Sequence, residues 1–365
     1  MKKIFPLILL FIILMCAIFF IKPNEKNKHS IKNKKIDIKV EGKKEKKMSI
    51  VAVGDCLIHG ALYMDARTGS NTYDFSGMIS EVEPLIKDYD LKFFNQESII
   101  GGKDLGVSHY PRFNSPDEIG DAMVNIGFNM VSLANNHTLD MGEKGILYSN
   151  EYWNNKKIIK SGTNSSEEER NNIQVYKQND IKYGYLAYTT VTNGLSAPEG
   201  KDYLINVYDK DQVKVDIDKI KDKVDVIIVS MHWGEEYTHT PVTEEKEIAE
   251  YLSDLGVNLI IGTHPHVIQP VQYVNDTLVI YSLGNFISGQ KPMGLDKIIG
   301  LMVGMDIKVK NKKVSFDNIK YNLLYTYSTS NDKNYRVIPF SNLNDEILLN
   351  YKEIENEYMD IVKSK

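Results

Sequence analysis

The residues of this chain that could do chemistry fall into five clusters, and each cluster follows a short apolar run. The clusters combine carboxylate, carboxamide and imidazole side chains. In chain order they are Asp55, the pair Asn95 and Glu97, the run Asn135, Asn136 and His137, the single His232, and the pair His264 and His266. In open α/β sheets the carboxyl ends of the strands meet in one crevice, so these side chains are expected to converge. Oxygen and imidazole ligands without a thiolate suit Mn, Fe or Zn better than Mg or Ca. The pattern therefore predicts a site for one or two divalent metal ions.

Each cluster taken alone also has a purely structural explanation. Asp55 could cap the N-terminus of a helix, and Asn135 with Asn136 could form a turn. A single histidine after a strand often belongs to the core. His59 is either a further metal ligand or only the start of a helix. The joint occurrence of five such clusters at strand ends is what favours a metal site.

Short apolar runs alternate with helical patterns from Met48 onward, which is typical of an α/β fold. Strands are predicted at 49–54, 91–94, 130–133, 226–230 and 258–261. Helices are predicted at 76–87, 117–126, 143–154, 212–221, 243–255 and 342–362. Antiparallel hairpins are predicted to turn at 179–180, at 275–276 and near 311. We expect residues 48–365 to form one domain, a four-layer αββα sandwich with mixed sheets.

The N-terminus has a different character. Residues 4–21 are an apolar run of 18 residues without a charge, which as a helix would span about 27 Å, close to the thickness of a bilayer core. Because two lysines precede the run and no small-residue cleavage site follows it, we interpret residues 1–22 as an uncleaved transmembrane signal anchor, with a cleaved signal peptide as the alternative. Residues 23–47 are rich in lysine and asparagine and are interpreted as a basic, flexible linker. The lysines favour a cytoplasmic side for the linker, whereas the short N-terminal tail and the long following domain favour export.

Charge excludes one class of partner. The whole chain has a net charge of −5, but residues 51–365 hold 31 Lys and Arg against 45 Asp and Glu, a net of −14. Binding to nucleic acid requires a basic face, so no nucleic-acid partner is expected. The two cysteines, Cys16 in the apolar run and Cys56 beside Asp55, are not expected to form a disulfide.

Six motifs give the chain a specific resemblance. They are GD, FFNQE, ANNHTLDMG, HWGEEY, GTHPHV and YSLGNF, in this order over about residues 48–290. The set resembles the CapA-type family of bacterial capsule synthesis proteins, which is associated with poly-γ-glutamate. The resemblance implies a calcineurin-like metallophosphoesterase fold, and also a membrane-anchored protein whose main domain faces the outside of the cell.

The resemblance also implies roles for individual residues. The metal ligands would be Asp55, Glu97, Asn136, His232, His264 and His266, and His137 would assist the leaving group as a catalytic acid or contact the substrate. Two positions depart from the wider metallophosphoesterase pattern. Leu57 stands where a histidine is usual, with His59 two residues further on, and Glu97 stands where a bridging aspartate is usual. A dinuclear, a mononuclear and an altered site all remain open.

Two functions compete on this basis. The first is a metal-dependent, phosphoesterase-like hydrolase of a phosphoester or of a bond in a cell-envelope polymer, with His137 as proton donor. Its candidate substrate contacts are Asn95, Asn135, Glu236 and Asn285. The second is a non-catalytic subunit that binds metal or polymer within a membrane assembly. A serine or cysteine hydrolase is disfavoured, because no G-x-S-x-G elbow occurs and Cys56 lacks a partner that would lower its pKa.

The expected partners follow from both functions. They are membrane lipid around the N-terminal helix, other membrane subunits of capsule synthesis, and an anionic polymer. The expected location is the cell membrane, with a single crossing and the main domain extracellular.

Overall fold

A computed structural model of the protein describes residues 45–290 and 294–364. The predicted signal anchor at 1–22 and most of the predicted linker at 23–47 lie outside the described residues. Within the described ranges, none of the helices has the length and apolar character that a membrane crossing requires.

The described residues contain fourteen strands and ten α-helices. The strands are β1 (Lys46–Leu57), β2 (Leu91–Gln96), β3 (Met130–Ser132), β4 (Ile159–Ser161), β5 (Val175–Gln178), β6 (Ile181–Thr189), β7 (Val226–His232), β8 (Leu259–Thr263), β9 (Val271–Val274), β10 (Thr277–Ile280), β11 (Asn285–Ser288), β12 (Ile299–Lys310), β13 (Lys313–Tyr327) and β14 (Arg336–Pro339). The helices are α1 (Gly60–Asp65), α2 (Ser76–Ile79), α3 (Glu83–Ile86), α4 (Asp117–Asn125), α5 (Gly142–Asn155), α6 (Glu167–Asn171), α7 (Lys210–Ile220), α8 (Thr243–Asp254), α9 (Leu295–Ile298) and α10 (Tyr351–Lys363). Short 3-10 helices lie at Ser80–Val82, Lys103–Leu105, Asp202–Leu204 and Phe340–Asn342.

The strands form two mixed sheets. The first sheet has eight strands in the order β14-β13-β12-β1-β2-β3-β4, and β11 also pairs with β1. The second sheet has six strands in the order β5-β6-β7-β8-β10-β9. Strands β1 to β4 pair in parallel, and so do β6, β7, β8 and β10. The pairings of β12 with β1, β12 with β13, β13 with β14, β5 with β6 and β9 with β10 are antiparallel. Both parallel sets have a carboxyl edge at which loops can carry functional residues.

The two sheets pack face to face, and helices cover their outer faces. The core between the sheets contains Ile50 and Phe93 from the first sheet and Tyr185 and Ile228 from the second. A second apolar cluster joins the first sheet to α4 and α5, and a third joins the second sheet to α7 and α8. The expected mixed sheets between helical layers are therefore confirmed for the described part of the chain.

The predicted elements agree with the structure where an apolar run is bounded by turn residues. All five predicted strands are present, and the three hairpins turn at 179–180, 275–276 and 311–312. The sequence reasoning missed three short strands, β4, β11 and β14, which are too brief to show a periodicity of their own.

Three predicted boundaries are wrong. The helix predicted at 76–87 is broken into α2, a 3-10 turn and α3. The helix predicted from 342 begins only at Tyr351, because the Asn344 side chain accepts hydrogen bonds from the backbone of 346 and 347 and holds a turn there. The linker predicted to reach 47 ends earlier, since Lys46 and Lys47 already pair with β12 and form ion pairs with Asp225 and Asp306.

Candidate metal centre

The polar clusters converge because they follow neighbouring strands. From the first sheet, Asp55 lies in β1, Glu97 directly follows β2, and the 135–137 run follows β3. From the second sheet, His232 ends β7 and the 264–266 segment follows β8. The side chains on both sides of this junction are buried. The site therefore lies where the carboxyl edges of both sheets meet, as the sequence predicts.

Close backbone approach brings these strand ends together. A Cβ added to Gly54 would lie 1.8 Å from the carbonyl oxygen of Gly284, and one added to Gly262 would lie 1.9 Å from that of Tyr281. Only glycine fits at such distances. The backbone N–H of Asp55 donates to the Gly284 carbonyl at 2.9 Å, which holds the carboxylate at this junction.

Two groups of side chains are arranged so that each could hold a metal ion. One group is Glu97, His232 and His264, and the other is Asp55, Glu97 and His266. Within each group, one potential ligand atom from every residue lies within 4.8 Å of the others. Glu97 belongs to both groups, so it could bridge two ions or serve a single one.

Unpartnered polar atoms test whether a cation fits here. Neither carboxylate oxygen of Glu97 accepts a hydrogen bond from the described residues, and Nδ1 of His264 also has no partner there. Glu97 Oε1 lies 3.6 Å from His266 Nε2 and 3.9 Å from His232 Nε2. Leaving a buried carboxylate without hydrogen bonds is costly, whereas a metal ion would satisfy all these atoms. The residues present therefore fit a divalent metal.

The electrostatics of the site agree with this fit. Burial, with the neighbouring negative charge of Asp55, raises the pKa of Glu97 well above its ordinary value. Burial lowers the pKa of His232 well below its ordinary value and that of His264 to about 4. Burial also opposes a charge on His266, but the carboxylates of Glu97 and Asp55 outweigh it and raise the pKa of His266 to about 9. The same carboxylates would attract a metal cation to this position.

Asn136 lies beside the first group. Its side-chain oxygen is 3.0 Å from Nε2 of His232, and its amide nitrogen donates to Asn193 at 3.4 Å. The carboxamide oxygen therefore points towards the ligand atoms, in the position that a further oxygen ligand would take.

Three of the four candidate substrate contacts have interior partners instead. The amide of Asn95 donates to Asp55 at 2.7 Å, that of Asn135 donates to the carbonyl of Gln96 at 2.9 Å, and Asn285 Oδ1 lies 3.0 Å from Nδ1 of His266. All three are buried. Asn95 and Asn285 are placed to orient the candidate ligands Asp55 and His266, whereas Asn135 bonds to the backbone just before Glu97. Their predicted contact with a substrate stays a prediction.

The site opens into a cleft of about 1100 Å³. Asn136, His137, His266 and Glu236 are among the residues that line it. Glu236 is therefore the candidate substrate contact that faces the cleft. A separate groove of about 1290 Å³ lies at the opposite end of the strands and contains none of the candidate ligands.

His137 is held in the wall of this cleft by residues that sequence reasoning missed. Its Nδ1 lies 2.7 Å from Asp140 Oδ2, which also accepts the backbone N–H of Phe113 at 2.7 Å. The Phe113 ring packs edge-on against the imidazole, with 4.6 Å between ring centres. Because Nδ1 faces Asp140, Nε2 is the ring nitrogen left for the cleft. The three-residue spacing between His137 and Asp140 in ANNHTLDMG is the signal that could have identified this pair.

Thr263 is a further residue that sequence reasoning missed. Its hydroxyl oxygen lies 3.0 Å from Nδ1 of His232, so that Nε2 is the nitrogen aimed at Glu97. Its position, the last residue of β8 before the histidine pair, is not distinctive in the sequence.

Backbone strain marks the histidine pair. His264 has a φ of 102° and His266 a φ of 59°, in the region that favours glycine. Such conformations persist where surrounding contacts hold them, and they cluster at functional sites.

His59 lies outside both candidate metal groups. It precedes α1, lines the cleft, and places Nδ1 3.4 Å from the hydroxyl of Ser288. The sequence leaves His59 as either a further metal ligand or the start of a helix, and its position just before α1 matches the second alternative.

Cys56 has no nucleophilic character in this setting. It is fully buried, and burial with the charge of Asp55 raises the pKa of its thiol. A thiolate nucleophile needs the opposite shift, which agrees with the disfavoured cysteine hydrolase.

Comparison with known proteins places the chain among capsule proteins. The chain is 29% identical over 167 residues to the PGA biosynthesis protein CapA of Bacillus subtilis, covering 45% of this chain and 44% of that protein. It is 26% identical over 263 residues to the capsule biosynthesis protein CapA of Bacillus anthracis, covering 69% and 62%. The chain thus spans less than two thirds of the length of these relatives.

Two solved structures align with the chain at 15% identity. One is a phosphatase from Mycoplasma pneumoniae, with a TM-score of 0.47 over 77% of this chain and 95% of that chain. The other is the calcineurin-like phosphoesterase YfkN from Bacillus subtilis, with a TM-score of 0.44 over 87% and 99%.

The family assignment comes from the span that carries the six motifs. Residues 49–290, more than half of the chain, match the family described as "Bacterial capsule synthesis protein PGA_cap". This range contains every candidate ligand discussed above. The chain belongs to this family of bacterial capsule synthesis proteins.

Proposed function

We propose that this protein is a metal-dependent hydrolase that acts on an anionic envelope polymer or its phosphoester precursor during capsule synthesis. The observation that carries the proposal is that two candidate metal-binding groups of three residues each share Glu97. They lie beside an open cleft that is lined by His137. On this proposal, the αββα sandwich formed by the two sheets and their helices is of the metallophosphoesterase type.

The ligands favour particular metals. Carboxylate and carboxamide oxygens with imidazole nitrogens suit Mn, Fe or Zn. When bound, such an ion polarises the group under attack and activates water as a nucleophile. Asp55, Glu97, Asn136, His232, His264 and His266 would hold it.

The chain's own residues supply the proton and the orientation. His137 presents Nε2 to the cleft, where it can donate a proton to the departing oxygen or nitrogen. Asp140 holds the opposite ring nitrogen and so fixes the orientation of the imidazole. Glu236, at the cleft wall, is placed to contact the substrate.

The substrate class is inferred from the relatives. Those from Bacillus carry names in capsule and PGA biosynthesis, and we take poly-γ-glutamate as the polymer with which this chain works. Because residues 51–365 carry a net charge of −14, bulk attraction cannot hold an anionic polymer. Binding depends on the metal and on local cationic groups.

One observation favours a second function, a metal- or polymer-binding subunit without turnover. Leu57 occupies the position where the wider pattern has a histidine, and His59 does not join either metal group. A site short of one ligand could bind polymer carboxylates through the metal and release them unchanged.

The experiment that separates these functions joins metal analysis to hydrolysis assays. The full chain, purified in mild detergent, is expected to retain at least about one equivalent of transition metal and to hydrolyse p-nitrophenyl phosphate or γ-linked glutamate oligomers. Chelation should abolish hydrolysis and Mn should restore it. Metal retention without hydrolysis of any of these compounds favours the binding subunit. A chain that takes up no metal contradicts the hydrolase and also a subunit that binds polymer through the metal.

The location of the protein is part of the proposal. We place residues 1–22 in the membrane and the main domain outside the cell, near other membrane subunits of capsule synthesis. In intact cells stripped of their wall, added protease should degrade the domain. Protection of the domain, with degradation only after the membrane is opened, would contradict the external location.

A further inference from the structure

Arginine usage singles out one residue at the cleft. The chain has four arginines, and three of them have acceptors: Arg67 donates to backbone carbonyls, Arg170 pairs with Asp216, and Arg336 pairs with Glu81. The guanidinium of Arg112 forms no hydrogen bond or ion pair with the described residues, and the residue is exposed. A free guanidinium in so acidic a domain is a group available for an external anion.

Arg112 also has a defined position relative to the candidate chemistry. It lines the same cleft as Asn136, His137 and His266, and it is the one Lys or Arg among the described residues of the cleft wall. The next residue, Phe113, contacts His137 through its ring and Asp140 through its backbone N–H. Arg112 is therefore attached directly to the segment that holds the proposed proton donor.

The loop that carries Arg112 is fixed at its base. Ser108 and Asn114 exchange two backbone hydrogen bonds of 3.0 and 3.1 Å, and the Ser108 hydroxyl donates to the carbonyl of Arg112 at 2.9 Å. The Asn114 side chain accepts from the backbone of Gly101 and donates to the carbonyls of Gly102 and Gly106. These bonds fix the backbone at Arg112, so that binding an anion there has to order the side chain but not the loop.

We propose that Arg112 forms a second anion-binding subsite at the mouth of the cleft, which takes a carboxylate or phosphate group next to the bond that is cleaved. This inference rests on the proposed function for the location of the cleaved bond. The planar guanidinium presents two parallel N–H donors to such a group. The substrate is then a chain with repeated negative charges, of which one lies at the metal centre and the next at Arg112.

Binding measurements on the full chain in mild detergent with Mn test the subsite. The probes are a γ-linked glutamate trimer and a glycerol phosphate trimer, and the affinity of the protein for each is measured by calorimetry. We expect Arg112→Gln to weaken binding of the preferred trimer roughly tenfold, and Arg112→Lys to give an intermediate value because the charge remains while the paired donors are lost. Dependence of glutamate trimer binding on Arg112 would identify carboxylate as the group bound, and the same dependence for the glycerol phosphate trimer would identify phosphate.

Lys223→Gln is the matched control, because it removes one positive charge at the opposite end of the strands, in the groove that lacks candidate ligands. Unchanged binding in Lys223→Gln supports a local subsite. Equal weakening in both variants, equal affinity of Arg112→Gln and the original protein, or failure of the original protein to bind either trimer would each overturn it.

A kinetic measurement keeps this inference distinct from the proposed function. If hydrolysis occurs, Arg112→Gln should raise KM for the trimer while hydrolysis of p-nitrophenyl phosphate, with its single anionic group, stays within about twofold. If the protein hydrolyses nothing but binds a trimer through Arg112, the hydrolase function fails and the subsite stands. If the protein hydrolyses the trimer and Arg112→Gln changes neither its binding nor its KM, the subsite fails alone.

Discussion

Replacing His137 with alanine is expected to lower kcat by about 10²- to 10⁴-fold while leaving the bound metal in place. The imidazole lies outside both candidate metal groups, and its Nδ1 is held by Asp140. Its removal therefore deletes the proton donor without deleting a ligand. Rates for a phosphoester, together with metal content by elemental analysis, check both parts.

His109→Ala is the matched control for this prediction. His109 is an exposed histidine at the same cleft, its ring centre lies 6.2 Å from that of Tyr63, and it belongs to neither candidate metal group. Its replacement should leave kcat and metal content unchanged. A His137 variant that retains full activity, or one that loses its metal, would show that the role assigned to this residue is wrong.

Replacing His264 with alanine is expected to remove the metal and, with it, a large share of the stability. Bound metal stabilises only the folded state, by roughly 3–4 kcal/mol when the free ion is 100 to 1,000 times above its Kd. Thermal unfolding of the original protein and of the variant, each with Mn and with a chelator, measures this contribution. In Mn, the Tm of the His264→Ala variant should lie well below that of the original protein.

The chelator arm separates the loss of metal from the loss of packing. Without metal, the buried His264 has an unpartnered Nδ1, so its removal should change Tm little in the chelated state. An equal fall of Tm in both conditions would mean that His264 contributes packing alone. Unchanged metal content in the variant would contradict its place among the ligands.

The two histidine variants together distinguish turnover from binding in the cell. A capsule defect caused by both variants indicates a hydrolase. A defect caused by His264→Ala alone indicates a metal-dependent binding site, because only that change alters the metal while His137 serves only chemistry.

The sequence predicts where this site lies better than how it is held. Asp55, His232 and His264 are identifiable because each follows an apolar run, and the carboxyl ends of such runs share an edge. The roles of Asn95 and Asn285 are not identifiable in this way. Both are carboxamides at strand ends, as Asn136 is, and only the contacts in the folded protein show that they bond to Asp55 and His266.

Elements of the fold, too, cannot be predicted from the sequence where they depend on contacts that form only in the folded protein. Strand β1 is predictable because its apolar run is long, whereas β11 is only four residues long and forms a strand through its pairing with β1. The start of α10 depends on side-chain hydrogen bonds of Asn344 to nearby backbone, which compete with the helix and leave no trace in its apolar periodicity.

The division of the ligands between the two sheets has a consequence for biosynthesis. Asp55 and His264 are 209 residues apart, yet the backbone N–H of His264 donates to the Asp55 carboxylate. A nascent chain therefore cannot complete the centre until it has been made as far as His266, and a product that stops before β8 contains no histidine of the 264–266 pair. The metal binding proposed above then has to wait until the strands of both sheets have been made. Because metal availability is one of the factors by which proteins select among similar metals, the compartment in which the proposed centre is completed would influence which ion it binds.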